Sequence, residues 1–335
     1  MNSAVHFNLE IMDLQGCKVA VMDLGSQTFR VVGAEVSGEE ARVLFSLRRN
    51  VRIGALVAPK AIFSQKAMEE ALKAIYDFRS ILQKYDITKI KAIGTAAFRR
   101  ASNSYQFVQK MKDLGIQMEI IDPDKETALA VKGAYLSIPA VSGPWIMLDS
   151  GGGSTEVALC EKDRVIEAKS LDIGAVSLLE ACKRSGENLR QCLRDRAADA
   201  IEEGLCNLKG LFSGIGQAVA TGGTATTIAA VSLGLLQYDP ARVRGFEING
   251  DALKDMYDKM VEMDVSKRKE IPGLESERAD IFPAGIAILL ELIRYLGLRK
   301  LIISDGGILL GLLAAFIEKE CDFYVEPSSA RGLYL

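Results

Sequence analysis

The sequence predicts an α/β protein built as two similar lobes that face each other across a cleft. The chain has 335 residues, more than the roughly 100–200 that one domain usually holds, so we expect about two hydrophobic cores. Short apolar segments alternate with segments of helical periodicity along the chain. An element at residues 23–26, Asp-Leu-Gly-Ser, recurs at residues 149–152 as Asp-Ser-Gly-Gly, each time directly after an apolar strand. Such a repeat predicts a duplicated lobe.

Composition and charge exclude several classes of protein. The 41 Lys and Arg residues are balanced by 44 Asp and Glu, and the net charge of −3 lacks the basic excess that general nucleic-acid binders carry. His6 is the single histidine, so Ser-His-Asp catalysis, Cys-His catalysis and His-rich zinc sites are not expected. If the protein is an enzyme, its catalysis must rest on carboxylates, arginines and backbone amides.

Segment lengths and cysteine spacing predict a cytoplasmic protein. The longest apolar runs, 281–290 and 308–317, are about half as long as a membrane helix requires. No basic stretch precedes an apolar one at the N-terminus, so no secretion signal is expected. The six cysteines include no Cys-x-x-Cys pair, and we expect free thiols in a reducing cytoplasm.

The first lobe, residues 17–138, is expected to follow a short N-terminal extension at residues 1–16. Its start is predicted to be a three-stranded meander, and Ser64 is placed to cap a helix that ends near residue 85. The predicted strands are 18–22, 29–36, 42–47, 90–93 and 116–121. The further predicted helices are 104–114 and 124–136. The predicted order is βββαβαβα.

The second lobe, residues 139–335, starts again with the same pattern of strands. Small and turn-forming residues at 139–144 predict a hinge between the lobes. The predicted strands are 145–149, 155–160, 164–170, 218–221 and 301–304. The predicted helices are 189–211, one after Thr224, 252–263, 279–296 and 308–319. The final helix is expected to pack back on the first lobe.

Four polar loops that contain glycine follow strand ends, at residues 23–28, 149–156, 221–227 and 304–307. Glycine lets backbone N–H groups converge without obstruction by a Cβ, which makes a nest for phosphate oxygens. A tight hairpin turn explains either of the first two loops alone about as well, and helix capping by Thr224 explains the third. Because all four loops follow strand ends, we expect them to share a cleft. Because the first two loops are copies of one element, we expect these two to face each other across it.

Carboxylates lie at or next to these loops. Asp23 and Asp149 end the paired strands, where a carboxylate can coordinate Mg²⁺ while phosphates complete its shell. Turn formation explains a lone Asp at such a position equally well. Glu156 lies on the strand that leaves the second loop. Glu126 falls in the first turn of a predicted helix, where the helix dipole alone is the simpler explanation.

Arginines near the loops are candidates for the local basic cluster that a polyanionic ligand would need, since guanidinium forks suit phosphate oxygens. An exposed, solvated face is the simpler explanation for two of them, Arg48 and Arg49. The candidates are Arg30, Arg48, Arg49, Arg52, Arg99 and Arg100.

Taken in this order, the motifs resemble the exopolyphosphatase and guanosine pentaphosphate phosphohydrolase (Ppx/GppA) phosphatase family, within the actin, hexokinase and Hsp70 ATPase-fold superfamily. The resemblance runs from Lys18 to about Phe316 and includes Arg278-Ala279 with Gly285. It implies two actin-like (ribonuclease H-like) lobes, each a mixed five-stranded sheet flanked by helices, with an interdomain cleft. It also implies Mg²⁺-dependent hydrolysis of a terminal phosphate from polyphosphate or guanosine pentaphosphate.

The resemblance assigns roles to particular residues. Glu126 aligns with the glutamate that activates water in the family, and Arg99 aligns with a phosphate-contacting arginine. Asp149 and Glu156 align with carboxylates associated with Mg²⁺, and Asp23 is the third candidate ligand. The predicted phosphate-binding residues are Gly25, Ser26, Gln27, Thr28, Gly151, Gly152, Gly153, Ser154, Thr155, Gly222, Gly223 and Thr224.

Departures from the family pattern leave other functions open. Gln27-Thr28 replaces a usual Asn-Ser, Ala128 replaces an Arg, and Leu309-Leu310 replaces an Arg-Glu pair. The chain resembles the short two-domain form, without the long extension of larger members. A non-catalytic polyphosphate- or alarmone-binding regulatory protein is the main alternative, and a kinase on the same scaffold is a third. We expect neither general nucleic-acid binding nor association with a membrane. A homodimer is the assembly to test.

Overall fold

The computed structural model of the protein describes residues 16–37, 40–53, 62–138, 141 and 143–325. The predicted N-terminal extension, apart from Gly16, and residues 139, 140 and 142 of the predicted hinge lie outside the described residues. The domain boundary drawn at residue 139 therefore stays a prediction.

The first sheet has five strands in the described part of the chain, in the order β3-β2-β1-β4-β5. β1 pairs antiparallel with β2 and parallel with β4, so the sheet is mixed as predicted. The strands are β1 (Cys17–Leu24), β2 (Thr28–Ser37), β3 (Glu40–Asn50), β4 (Lys89–Gly94) and β5 (Gln117–Ile120). The helices are α1 (Gln65–Lys84), α2 (Ala96–Arg100), α3 (Ser104–Asp113) and α4 (Pro123–Ser137).

The second sheet has six strands within the described ranges, in the order β10-β11-β9-β6-β7-β8. The prediction of five strands missed β10, because three residues are too few to show an alternating pattern. The strands are β6 (Pro144–Ser150), β7 (Thr155–Glu161), β8 (Arg164–Leu171), β9 (Ala218–Thr221), β10 (Glu247–Asn249) and β11 (Lys300–Ile303).

The helices of the second lobe depart from the prediction at several ends. They are α5 (Ala175–Ser185), α6 (Leu189–Leu205), α7 (Lys209–Phe212), α8 (Gly222–Ser232), α9 (Pro240–Val243), α10 (Gly250–Glu262), α11 (Val265–Arg268), α12 (Phe282–Leu296) and α13 (Ile308–Glu320). The predicted helix 189–211 is broken after Leu205, next to Gly204 and Asn207, which are weak helix formers. α12 begins at Phe282 rather than at residue 279, with Pro283 in its first turn, where proline is favoured.

The two sheets share one topology, which confirms the duplication. β1 lies between its hairpin partner β2 and the parallel strand β4, just as β6 lies between β7 and the parallel strand β9. Asp23 near the end of β1 is paired in register with Arg30, and Asp149 near the end of β6 is paired with Glu156. Both loops therefore leave the carboxyl end of a central strand.

Buried apolar residues form three clusters within the described ranges. One lies between the first sheet and the helices α1 and α3, and one lies within the second lobe. The third combines residues of both sheets with α4 and α13, so that α13 packs against α4 and against β1 of the first lobe.

Glycines allow α4 and α13 to approach each other closely. A Cβ built on Gly133 would collide with the carbonyl oxygen of Gly307, and one on Gly311 would collide with that of Leu129. No side chain fits at either position, so the helix that carries Glu126 is held directly against the last helix of the chain.

The expectation of free thiols is wrong for four cysteines. The structure joins Cys17 to Cys321 and Cys182 to Cys192 in disulfides, while Cys160 and Cys206 are free. Cys17 and Cys321 are 304 positions apart and meet because α13 returns to β1, which cysteine spacing alone could not reveal. None of the described helices is long and apolar enough to cross a membrane.

Candidate active site

A cavity of about 80 Å³ lies between the lobes, where the duplicated loops meet. This volume is several times the roughly 10–15 Å³ that one water molecule needs. Its wall includes fourteen of the predicted site residues: Asp23, Gly25, Ser26, Gln27, Thr28, Glu126, Asp149, Gly151, Gly152, Gly153, Ser154, Glu156, Gly223 and Thr224. Arg30, Thr95, Ser150 and Arg278 also line it.

The two loops form the same turn. In the first loop the N–H of Gly25 donates to the carbonyl of Thr28 at 3.1 Å. In the second, the N–H of Gly151 donates to the carbonyl of Ser154 at 3.0 Å. These two amides are used within the turns, so the amides nearer the loop tips are the ones that remain for a ligand.

The loop tips touch each other across the cleft. A Cβ built on Gly152 would lie 3.2 Å from Cβ of Gln27, and one built on Gly153 would lie 2.7 Å from Oγ of Ser26. Glycine at both positions therefore permits the close approach. The prediction that the two loops face each other is confirmed.

Glu126 is held by Arg99 at the edge of this cavity. Asp122 caps α4 by accepting from the N–H of Lys125 at 2.8 Å, which places Glu126 in the first helical turn. Nη1 of Arg99 donates to Oε2 of Glu126 at 2.6 Å and to the carbonyl of Ile121 at 3.0 Å. Arg99 therefore lies behind the carboxylate rather than on the cavity wall.

The pKa of Glu126 is raised to about 7. Burial is the main cause, since it penalises the charged carboxylate, and the nearby Asp23 and Asp149 add to the effect. The hydrogen bond and the charge of Arg99 act in the opposite direction. A carboxyl group with this pKa can exchange a proton near neutral pH.

Asp23 is almost completely buried and pairs with Arg30, whose Nη2 lies 2.9 Å from Oδ2 of the carboxylate. Burial raises the pKa of Asp23, and Arg30 opposes that shift. Arg30 thus occupies one oxygen of a predicted metal ligand.

Asp149 and Glu156 form the carboxylate pair of the second loop. Burial raises the pKa of Asp149 to about 6, with Arg30 opposing the shift and Asp23 adding to it. Burial, followed by the neighbouring Glu126 and Asp149, raises the pKa of Glu156 well above its usual range. A nearby cation would stabilise the ionised form of both carboxylates.

The residues around this pair fit a divalent cation that takes few protein ligands. Oγ of Ser150 and Oε1 of Gln27 are buried in the cavity wall and have no hydrogen-bond partner in the part of the chain that the structure describes. Among the same residues, no group of three or more His, Cys, Asp or Glu is arranged to hold a metal alone. Mg²⁺ is commonly held by one or two carboxylates while water and substrate phosphates supply the rest.

A second, outer cavity of about 290 Å³ adjoins the first. Arg30, Gly223 and Arg278 line both cavities. The outer wall also includes Ser46, Leu47, Arg48, Thr221, Gly222, Thr226, Tyr238, Asp305, Gly307 and Leu309. The fourth loop contributes here, and its Asp305 pairs with Arg244 at 2.6 Å.

Three predicted site residues do not line the inner cavity. Arg99 lies behind Glu126, and Gly222 lines the outer cavity beside Asp149. The hydroxyl of Thr155 is fully buried and donates to the carbonyl of Ile173 at 2.7 Å. Arg278 lines both cavities, although no sequence pattern assigns it a role. Its position beside Gly223 depends on a contact between residues distant in sequence, which no local pattern reveals.

The departures from the family pattern lie in different places. Ala128 is exposed on α4 and lines neither cavity. Leu309 is buried and gives the outer cavity an apolar wall, whereas Leu310 is buried in the core beneath it. Gln27 lies at the contact between the two loops.

Comparison with known proteins agrees with this geometry. Residues 31–320 match the Ppx/GppA phosphatase family. Exopolyphosphatase 2 of Mycobacterium tuberculosis is 27% identical over 316 residues, which cover 88% of this chain and 97% of that protein. The guanosine-5'-triphosphate,3'-diphosphate pyrophosphatase of Photobacterium profundum is 28% identical over 309 residues, 90% of this chain and 59% of that protein.

A solved structure has the same architecture. The crystal structure of the Aquifex aeolicus member of the Ppx/GppA protein family superposes with a TM-score of 0.75 at 26% identity, covering 91% of this chain and 99% of the other. Because the family match spans most of the chain and the fold is that of a solved member, the chain belongs to the Ppx/GppA phosphatase family.

Proposed function

We propose that this protein hydrolyses the terminal phosphoanhydride bond of inorganic polyphosphate, of guanosine pentaphosphate, or of both. One observation carries the proposal: the carboxyl group of Glu126, with a pKa raised to about 7, faces a cavity whose walls are two glycine loops of a phosphate-binding type. The names of the relatives support the same two substrates.

The loops would hold the terminal phosphate. The N–H groups of Gly25 and Gly151 close the turns, so the amides of residues 26–27 and 152–153 are assigned to the phosphate oxygens. Donors fixed before the reaction stabilise charge on a transferring phosphoryl group without having to reorganise. The two lobes each contribute one loop, so closure of the cleft would complete the cradle and exclude water.

Glu126 would act as the general base. Arg99 engages Oε2 at 2.6 Å, which assigns the attacking water to Oε1. The water oxygen bonds to the terminal phosphorus as its proton passes to Glu126, and the bond from that phosphorus to the bridging oxygen breaks. The products are orthophosphate and a chain or nucleotide shorter by one phosphate.

Mg²⁺ is the proposed cofactor, with Asp149 and Glu156 as its protein ligands and Asp23 as a further candidate that is already paired with Arg30. When bound, the ion would neutralise charge on the phosphate oxygens. The raised pKa values of these carboxyl groups support a cation site, because a cation would offset the cost of burying their charge.

The choice between the two substrates depends on the outer cavity. Arg278 suits a continuing phosphate chain, and Leu309 with Tyr238 offers apolar and aromatic surface to a nucleoside. We propose the outer cavity as the place for the part of the substrate that leaves. Steady-state rates with polyphosphates of several lengths and with guanosine pentaphosphate measure the preference.

Phosphate release tests the proposed function. The wild-type protein should release orthophosphate when Mg²⁺ is present, and chelation of the metal should abolish the release. Glu126→Gln keeps the hydrogen bond from Arg99 but cannot accept a proton, so turnover should fall by about 10²–10⁴ while substrate binding persists.

Two other outcomes would reject the proposal in different ways. Tight binding of polyphosphate by the wild type without release would identify a regulatory binding protein. A turnover loss below about fivefold in Glu126→Gln would remove Glu126 as the base, since a general base contributes far more.

A cytoplasmic location and a homodimer also remain proposals. The two disulfides weigh against a reducing compartment, so thiol counting on protein taken directly from cells tests the first. Sedimentation of the purified protein tests the second.

A further inference from the structure

Arg278 holds a position between the inner and outer cavities. It is the last residue of a 3₁₀ turn, Ser276–Arg278, and its side chain is 15% exposed. Its guanidinium lies against the backbone of Gly223, in the space that a side chain there would fill. Any substrate that extends from one cavity into the other passes this guanidinium.

Glu275 connects Arg278 to the opposite lobe. Its Oε2 accepts a hydrogen bond from Nε of Arg278 at 3.1 Å, and its Oε1 pairs with Nη2 of Arg48 on β3. A contact through Nε leaves the two Nη groups of Arg278 for a ligand. One carboxylate therefore joins a cavity arginine in the second lobe to a strand of the first.

Two guanidinium groups, those of Arg278 and Arg48, bind this carboxylate, and the charge of a third, Arg30, acts on Arg278 from nearby. Burial is the main cause that lowers the pKa of Arg278, Glu275 opposes the shift, and the charges of Arg30 and Arg48 add to it. Like charges in a partly buried site repel each other unless an anion lies between them. Glu275 supplies that anion.

A second pair of residues joins the lobes close by without touching either cavity. Nη1 and Nη2 of Arg52 bind the two oxygens of Asp280 at 3.0 Å and 2.7 Å. Arg52 lies just after β3, and Asp280 lies five positions after Glu275. This pair is a matched reference for the effect of a cross-lobe ion pair alone.

We propose that Glu275 is a positioning residue for phosphate-chain hydrolysis: it orients Arg278 toward the substrate, and Arg48 fixes that orientation when the lobes close. The inference rests on the proposed function. Closure of the lobes and binding of the substrate are then linked, because opening the cleft would break the ion pair between Arg48 and Glu275 and leave Glu275 free to turn away from Arg278.

Kinetics of Glu275→Gln test the proposal. KM for polyphosphate should rise about tenfold or more, the range for loss of a charge-assisted hydrogen bond, while kcat changes less than about threefold. Glu275→Asp keeps the charge and should recover part of the loss. Asp280→Asn removes the reference ion pair and should leave KM within about twofold of wild type.

A double variant separates positioning from simple closure. If Arg48 acts through Glu275, then Arg48→Gln combined with Glu275→Gln should raise KM no more than the stronger single change. The proposal would be overturned if the two single KM effects multiplied in the double variant. It would also be overturned by an unchanged KM in Glu275→Gln, or by an equal rise of KM in Asp280→Asn.

Binding of inorganic tripolyphosphate, measured by calorimetry on the same variants, keeps this inference distinct from the proposed function. If the wild type releases no phosphate, the hydrolysis proposal fails. The positioning role is then supported by a tenfold weaker Kd in Glu275→Gln but not in Asp280→Asn, and is overturned by equal Kd values.

Discussion

At the scale of single residues, Glu126 shows how opposing effects set the properties of a candidate base. Burial and two neighbouring carboxylates favour the neutral acid, and Arg99 at 2.6 Å favours the anion. The balance gives a pKa of about 7. Helix-dipole stabilisation alone would favour the charged form and lower the pKa, so the position in the first helical turn does not account for the raised pKa of Glu126.

Arg99 is predicted to act on the proton affinity of Glu126. Arg99→Ala removes the cation, so the pKa of Glu126 should rise further and the acid limb of the kcat–pH profile should move to higher pH. Arg99→Lys keeps the positive charge and should hold the limb closer to its wild-type position. The pH dependence of phosphate release checks both variants. A large KM increase with an unmoved limb would instead support the direct phosphate contact that the sequence predicts.

The raised pKa of Glu126 also predicts how stability depends on pH. The folded protein holds the proton more tightly than the unfolded chain, in which the carboxyl of a glutamate has a pKa near 4.5. The stabilising contribution is fully present below about pH 4.5 and is lost as pH rises through about 7, by about 3 kcal/mol for this group. Urea unfolding in chelator at a series of pH values measures it.

Glu126→Gln is the control for this measurement. Its free energy of unfolding should fall less steeply over the same pH range, because the titrating group is absent. Asp149, whose pKa is raised to about 6, should still contribute in the variant. Equal slopes for the two proteins would contradict the assignment.

At the scale of elements, the crossing of α4 and α13 is predicted to tolerate only glycine. Gly311→Ala places a methyl group against the backbone of Leu129, which cannot move aside as a flexible side chain could. The free energy of unfolding should fall by at least about 1–3 kcal/mol. Gly210→Ala, in α7 with open space around it, should be neutral or slightly stabilising. Comparable losses in both variants would refute the packing argument.

Elements with strong local signals were predicted well from the sequence. Ser64 caps α1 as expected, accepting from the N–H of Ala67, and the helix ends at Lys84 beside Tyr85. Local patterns failed where contacts decide the structure. Helix capping by Thr224 was one explanation of the third loop, yet α8 begins at Gly222 and Thr224 lies buried within it, against Gly285 of α12.

Only part of the candidate site could be predicted, because some of its residues follow a local pattern and others are brought in by distant contacts. The repeated loops and their carboxylates are contiguous in sequence, so their pattern was visible before the structure. Arg278 contacts Gly223, and Glu275 pairs with Arg48, although the members of each pair lie far apart in the sequence. Only the folded arrangement of the lobes brings them together.

At the scale of the whole molecule, the Cys17–Cys321 disulfide closes almost the entire chain into a loop, since the two cysteines are 304 positions apart. Cross-links across long loops restrict the unfolded chain most in the chain-entropy model. Replacing both cysteines with serine should lower the free energy of unfolding by roughly 5 kcal/mol. Denaturant unfolding with and without a reductant checks this value.

The second disulfide is the control for loop length. Cys182 and Cys192 are 10 positions apart, so their replacement should cost less, about 3 kcal/mol or below. A larger loss from this pair than from Cys17 and Cys321 would contradict the entropic account.

The central claim is that Glu126 directs a water molecule onto the terminal phosphorus of a phosphate chain. Hydrolysis of polyphosphate in ¹⁸O-labelled water, followed by mass analysis of the products, tests it most directly. We expect one ¹⁸O atom in each orthophosphate that the wild type releases and none in the shortened chain, and we expect Glu126→Gln to release labelled orthophosphate about 10²–10⁴-fold more slowly. Label in the shortened chain, or transfer of unlabelled phosphate to another acceptor, would contradict it.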